Sequence, residues 1–190
     1  MKRTVLLLVC VVFLFLAWVQ QVEGEEKSGL FPVVKNDKWG FIDKTGKLLI
    51  NPRFDGAGPF SEGLAAVAVG KKHGFIDKTG SLAISPRFDN AMIFSEGLAA
   101  VGIGDKWGFV DKTGKFATGQ EFDRVWSFSE GLAAVATGGK WGFIDKTGKF
   151  AIGPKFDFAG PFSEGLAAVG IGNRYGLIDK TGKYIWHPVN

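Results

Sequence analysis

The sequence predicts an all-β, propeller-like protein built from five 34-residue repeats, each an antiparallel meander of three strands. Three observations carry that prediction. The pairs Trp39-Gly40, His73-Gly74, Trp107-Gly108, Trp141-Gly142 and Tyr175-Gly176 recur every 34 residues with no insertion or deletion. Glycines break the chain so often that no i, i+3, i+4, i+7 apolar stripe survives, and each costs a helix interior about 1 kcal/mol relative to alanine. The runs between glycines, as in Gly131 to Gly148, are four to seven residues long, which is strand length. A helical tetratricopeptide unit shares the 34-residue period and is excluded on those grounds. With 46% hydrophobic and 22% charged residues and a net charge of +4, the chain is no disordered polymer. One cysteine rules out a disulfide framework.

The first 24 residues are read apart from the fold. Lys2 and Arg3 precede an uncharged apolar run from Val5 to Val19, and Val22-Glu23-Gly24 offers small residues at the cleavage positions. This is the order of a secretory signal peptide. Its 15-residue apolar run is shorter than the roughly 20 residues a spanning helix needs. Cleavage after Gly24 is expected, and Cys10 leaves with the leader. The mature chain is then an exported protein without cysteine, placed in the periplasm, on the cell surface or outside the cell. Membrane contact is expected only through this segment, should it stay uncleaved. The remaining charge of about +3 is dispersed, which argues against a nucleic acid partner.

Residues 25–190 form the repeat domain, with units 29–62, 63–96, 97–130, 131–164 and an incomplete 165–190. In each, a first strand, such as the Ala-rich Leu64 to Val69 of the second unit, ends at a two-residue turn: Asn36-Asp37, Gly70-Lys71, Gly104-Asp105, Gly138-Gly139 or Gly172-Asn173. Those residue types accept the positive φ of primed hairpin turns. The second strand, Trp107 to Val110 in the third unit, ends in D-K-T-G, where Asp can cap the turn and Gly can take a left-handed position. The third strand runs from about Lys47 to Ile50, or Lys115 to Thr118. A connector follows, Pro52 to Glu62 in the first unit. Its two phenylalanines, Phe54 and Phe60, recur in the next three units as plugs between neighbours. The connector is expected to add a short outer strand, leaving the Ala-rich strand innermost in a narrow blade. An open β-solenoid is the competing arrangement.

The aligned aromatics Trp39, Trp107, Trp141 and Tyr175 share a strand face with Phe41, Phe109 and Phe143 two residues on. They read as packing between units rather than a sugar platform. Trp107→Ala is expected to cost about 3–5 kcal/mol.

The string K-W-G-F-I-D-K-T-G-K, with F-D-x-A-x-x-F-S-E-G-L-A-A-V around it, resembles the WG, or KWG, repeat of bacterial proteins. The resemblance runs from Gly29 to about His187. It implies an exported or surface protein and supplies no catalytic residues. His73 and Tyr175 depart from the pattern at the Trp position, and Gly119 to Phe128 departs in the connector.

No constellation for catalysis, metal binding or cofactor binding is found. Asp43, Asp55 and Glu62 each head a set of repeated carboxylates, and equivalent environments do not make an acid/base pair. They read as turn caps and backbone hydrogen-bond acceptors. His73 and His187 lack the spacing of a zinc site. Lys44, Lys78, Lys112, Lys146 and Lys180 should line one rim as a solvated basic row. The unit-specific residues His73, Arg124, Trp126, Trp186 and His187 are the candidate surface contacts. The expected function is a non-catalytic exported scaffold for a protein or glycan partner. A hydrolase or lyase acting on an extracellular polymer is the alternative.

Overall fold

The computed structural model describes residues 29–119 and 122–187, so the leader expectation for residues 1–24 lies outside the described residues. The chain folds into five antiparallel sheets met in sequence order. The first holds β1 (Leu30–Lys35), β2 (Lys38–Asp43) and β3 (Leu48–Phe54). The second holds β4 (Gly56–Ser61), β5 (Leu64–Val69), β6 (Lys72–Asp77) and β7 (Leu82–Phe88). β8 (Asn90–Ser95), β9 (Leu98–Ile103) and β10 (Lys106–Val110) make the third. The fourth contains β11 (Arg124–Val125), β12 (Ala133–Thr137), β13 (Lys140–Ile144) and β14 (Phe150–Phe156). The fifth contains β15 (Phe158–Ser163), β16 (Leu166–Ile171), β17 (Arg174–Asp179) and β18 (Tyr184–Trp186).

The predicted meander is present, but the connector sits elsewhere than expected. Its second half pairs with the Ala-rich strand of the next unit, in the register Gly56↔Ala68 to Ser61↔Leu64. From the second sheet on, the Ala-rich strand is therefore the second strand rather than the innermost, and each of those sheets begins in the preceding sequence unit. The reason lies in the turn after Phe54. The Asp55 N–H donates to the Ala68 carbonyl at 2.9 Å, which turns the chain out of one sheet and into the next. The third strand is also longer than expected in the first unit, and Pro52 is accommodated because β3 is an edge strand with no further ladder to serve. In the third unit it is not a strand at all. Isolated bridges Val110↔Phe116 and Trp107↔Phe122 replace it. There the Thr118 hydroxyl accepts the Phe109 N–H at 3.1 Å, a side chain standing in for ladder backbone.

Turn chemistry follows the sequence. Asn36-Asp37 and Gly138-Gly139 have positive φ at both positions, whereas Gly70, Gly104 and Gly172 carry it at the first position alone. The D-K-T-G glycines, Gly46 among them, are also left-handed. The glycine after each strand-two aromatic has a different role. The β2–β3 register shifts beside Gly40, and a Cβ there would lie 2.5 Å from the Ile50 carbonyl oxygen. Only glycine lets the third strand's backbone pass that close.

The core lies between sheets. Phe60, Phe94 and Phe128 from the connectors stand edge-on to Phe41, Phe75 and Phe109 of the preceding sheet, with centroids 4.9, 4.8 and 4.7 Å apart. Phe162 meets Phe143 with centroids 4.8 Å apart and the rings tilted at 57°. The expected plugs are thus pairs, one ring from each neighbour. Phe41, Phe109 and Phe143 are fully buried, while Trp39, Trp107 and Tyr175 are half-buried at the rim of the same layer. Trp107 packs against the cluster joining the third and fourth sheets. Its partial exposure lowers the expected cost of Trp107→Ala to about 2 kcal/mol, measurable by urea denaturation.

Candidate functional site

The repeated carboxylates were the most chemistry-bearing residues in the sequence, and the structure places each set in a bond of its own. In the D-K-T-G turns, Asp43 Oδ1 accepts from the Thr45 N–H at 2.8 Å, the Thr45 hydroxyl at 2.6 Å and the Lys47 N–H at 3.1 Å. Asp77, Asp111, Asp145 and Asp179 repeat the cap around their own threonines. The second set bridges neighbouring sheets. Asp55 accepts from Lys38 Nζ of β2 at 2.5 Å and from the Gly70 N–H, in the β5–β6 turn, at 2.7 Å. Asp89, Asp123 and Asp157 do the same with Lys72, Lys106 and Lys140.

The third set is the least expected. Glu62 adopts a left-handed conformation with φ 51° and reaches the following sheet. There it accepts the Gly97 N–H at 3.0 Å and pairs with Lys112 Nζ at 3.1 Å. Glu96 meets Gly131 and Lys146, and Glu130 meets Gly165 and Lys180, in the same geometry. Lys112, Lys146 and Lys180 stay exposed in the turns, as expected, and are in addition paired with acids. Sequence reasoning missed the pairing because its partners stand 50 residues apart, more than one repeat. The signal was present, since both residues keep one spacing throughout.

The bonds to the two aspartate sets lower the pKa of those carboxyls. The Thr45 hydroxyl, then the backbone N–H groups of Thr45 and Lys47, keep Asp43 below the usual carboxylate range. For Asp55 the Lys38 ammonium is the largest cause and the Gly70 N–H the next. Asp77, Asp89, Asp111, Asp123, Asp145, Asp157 and Asp179 shift the same way. A carboxyl whose folded value lies below the unfolded value of about 3.9 stabilises the fold above that pH. Its contribution is lost as pH falls through the folded value. Urea midpoints are thus expected to hold steady down to about pH 5 and to fall steadily below about pH 4. A midpoint that rose on acidification would contradict these assignments.

The candidate contact residues lie in three different sheets. His73 is in β6, half-buried, and its Nδ1 is buried with no hydrogen-bond partner among the described residues. Tryptophan stands at the equivalent position in three other units. His73→Trp is expected to raise stability by about 1 kcal/mol, read from the urea midpoint, by removing an unsatisfied polar atom. Arg124 is exposed in β11, and Trp126 follows it. The Trp126 ring is exposed, while its Nε1–H donates to the Ala159 carbonyl of the next sheet at 3.1 Å. Trp186 is exposed at the end of β18, and His187 stacks on Tyr184 with centroids 5.2 Å apart. Arg124 and Trp126 stand two residues apart in the chain and His187 stacks on Tyr184, but no single site gathers all five. Among the described residues, no group of three or more His, Cys, Asp or Glu side chains is placed to hold a metal ion. No helix among the described residues is long and apolar enough to cross a membrane.

Successive small antiparallel sheets, joined through buried aromatic pairs and repeated ion-paired turns, define an all-β repeat scaffold of propeller-like type. The chain belongs to the WG repeat family: the model for the WG containing repeat matches residues 39–72, 74–107, 107–141 and 141–175. No curated protein sequence matches it. Among solved structures it is similar to Kluyveromyces lactis Hsv2 with complete loop 6CD, with a TM-score of 0.55 and 11% identity over 83% of this chain and 58% of that one. KlHsv2 with loop 6CD replaced by a Gly-Ser linker gives a TM-score of 0.56 and 9% identity, over 87% of this chain and 67% of that one. At that identity the likeness is one of fold. The chain spans 58% of the length of the first of these proteins.

Proposed function

We propose that the protein is an exported, non-catalytic scaffold that binds a protein or glycan partner at the cell envelope or outside the cell. The observation behind this reading is what the repeated acids do. The D-K-T-G aspartates, the connector aspartates and Glu62, Glu96 and Glu130 are all bonded within or between sheets. A general acid or base needs a carboxyl in an environment set apart from its copies, and those residues share theirs. Among the residues that break the repeat and remain exposed are an arginine and a tryptophan close in sequence, Arg124 and Trp126, the types most enriched at energetically important contacts. Trp126 is also held by its bond to Ala159, so little ordering entropy is lost when a partner covers the ring.

The protein recovered from its producing cells, immobilised beside Trp126→Ala and Arg124→Ala variants, tests the reading with envelope extract and a glycan array. The expected result is a ligand retained by the parent chain and lost by both variants. Retention that ignores both substitutions, or turnover of an extracellular polymer, would overturn it. Intact mass of the same material tests export: a chain beginning at Glu25 is expected, and one beginning at Met1 or Lys2 would contradict cleavage after Gly24.

A further inference from the structure

We propose that the two ends of the array are complementary docking faces, and that copies of this chain associate head to tail through them. The joints between the second and third, third and fourth, and fourth and fifth sheets each have an acidic half and a basic half. The acidic half is a serine and a left-handed glutamate at the turn into the Ala-rich strand. Ser95 donates to the Phe128 carbonyl at 2.8 Å and Ser129 to the Phe162 carbonyl at 2.7 Å, while Glu96 and Glu130 take the next sheet's glycine N–H and lysine. The basic half is that glycine and that lysine, at fixed spacing.

In the fifth sheet Ser163 and Glu164 repeat the acidic half, with Glu164 at φ 52° beside 51°, 54° and 53° for Glu62, Glu96 and Glu130. Glu164 is exposed, and no partner for it or for the Ser163 hydroxyl exists among the described residues. In the first sheet Gly29, also at positive φ, and Lys44 occupy the positions of the basic half. Lys44 likewise meets no acid among the described residues. The turn geometry that forms three joints inside the chain thus leaves a carboxylate poised at one end and an ammonium at the other.

The apolar layers agree. Phe31 of β1 is 50% exposed, whereas Ala65, Ala99, Ala133 and Ala167 at its position are at most 1% exposed against the sheet before. Val33 and Ile42 beside it are half-buried, where Val67 and Ile76 are fully buried. At the other end Trp186 is 43% exposed, where Ile50, Ile84 and Ile152 are at most 5% exposed against the sheet after. Leu166 and Leu177 share that face and are half-buried. Among the described residues no sheet stands before the first or after the fifth. A second copy supplies both surfaces, with opposite charges already in register, through a heterologous contact.

The test uses the protein as recovered from its producing cells, in light and heavy isotope-labelled forms mixed together. Carbodiimide joins an amine to a carboxylate only where the two are paired. The expected products are a concentration-dependent oligomer in sedimentation velocity and a Lys44–Glu164 isopeptide linking one light chain to one heavy chain. Glu164→Lys and Lys44→Glu are each expected to weaken association about tenfold, with the double exchange in one chain restoring it. Lys71→Glu, in an exposed hairpin turn, should leave it unchanged. A monomer at every concentration would overturn the proposal. So would an isopeptide confined to single-label chains, which is closure of the chain on itself, or association indifferent to the charge reversals.

Discussion

Gly142→Ala is expected to be among the most damaging conservative substitutions in the protein, together with Gly40→Ala and Gly74→Ala. A methyl group there would lie 2.6 Å from the Ile152 carbonyl oxygen, 2.8 Å from the Pro154 nitrogen and 2.9 Å from the Gly153 carbonyl carbon. All three are backbone atoms of β14, and no side-chain rotamer can relieve the clash. The strand must separate from β13, which also disturbs Phe143 and Ile152 of the core beneath. Overpacking usually costs about 1–3 kcal/mol, and a clash with fixed backbone belongs at or above the top of that range. Gly153→Ala is the matching control, since its Cβ would meet nothing within 4 Å and its φ is ordinary. Urea denaturation should show Gly142→Ala strongly destabilised and Gly153→Ala near the parent. Equal midpoints would remove the physical reason given for the W-G pair.

Phe109→Ala is the second large effect. Its ring is fully buried between the third and fourth sheets and stands 4.7 Å from Phe128, edge-on. Truncation removes both the transfer free energy and one member of an aromatic pair, and opens a cavity at a joint. A loss of about 3–5 kcal/mol is expected, against about 2 for half-buried Trp107 two residues away. The order matters more than either value. Trp107→Ala costing more than Phe109→Ala would move the centre of the inter-sheet layer from the phenylalanines to the tryptophans.

Most of the fold was legible because the repeat shows it several times over. Strand length between glycines, the left-handed turn residues and the Asp cap of D-K-T-G are local properties, readable within about ten residues and found as expected. The connector was not. Whether F-D-G-A-G-P-F-S pairs backward or forward depends on the Asp55 N–H meeting Ala68, a contact between units that no local propensity encodes. The acids show the same divide. That Asp43 caps its own turn is a matter of two and four residues. That Glu62 serves Gly97 and Lys112 is a matter of how two sheets stack. The loss of the third strand after Lys115 was partly visible, since Thr118-Gly119 replaces the Ile-x-Pro of other units, Ile50 to Pro52 for one.

The central claim is that the sheets are interchangeable modules held by one repeated joint, in an array whose ends do not depend on each other. Deleting residues 97–130 tests it most directly, because it removes one whole repeat and brings Gly131 and Lys146 to the spacing from Glu62 that Gly97 and Lys112 had. Nearest-neighbour coupling then predicts a folded product. Circular dichroism should show an unchanged β signature, and carbodiimide should yield a Glu62–Lys146 isopeptide in the shortened chain. An aggregated or unfolded deletion product, with no such isopeptide, would show that the sheets depend on ring closure and would contradict the account.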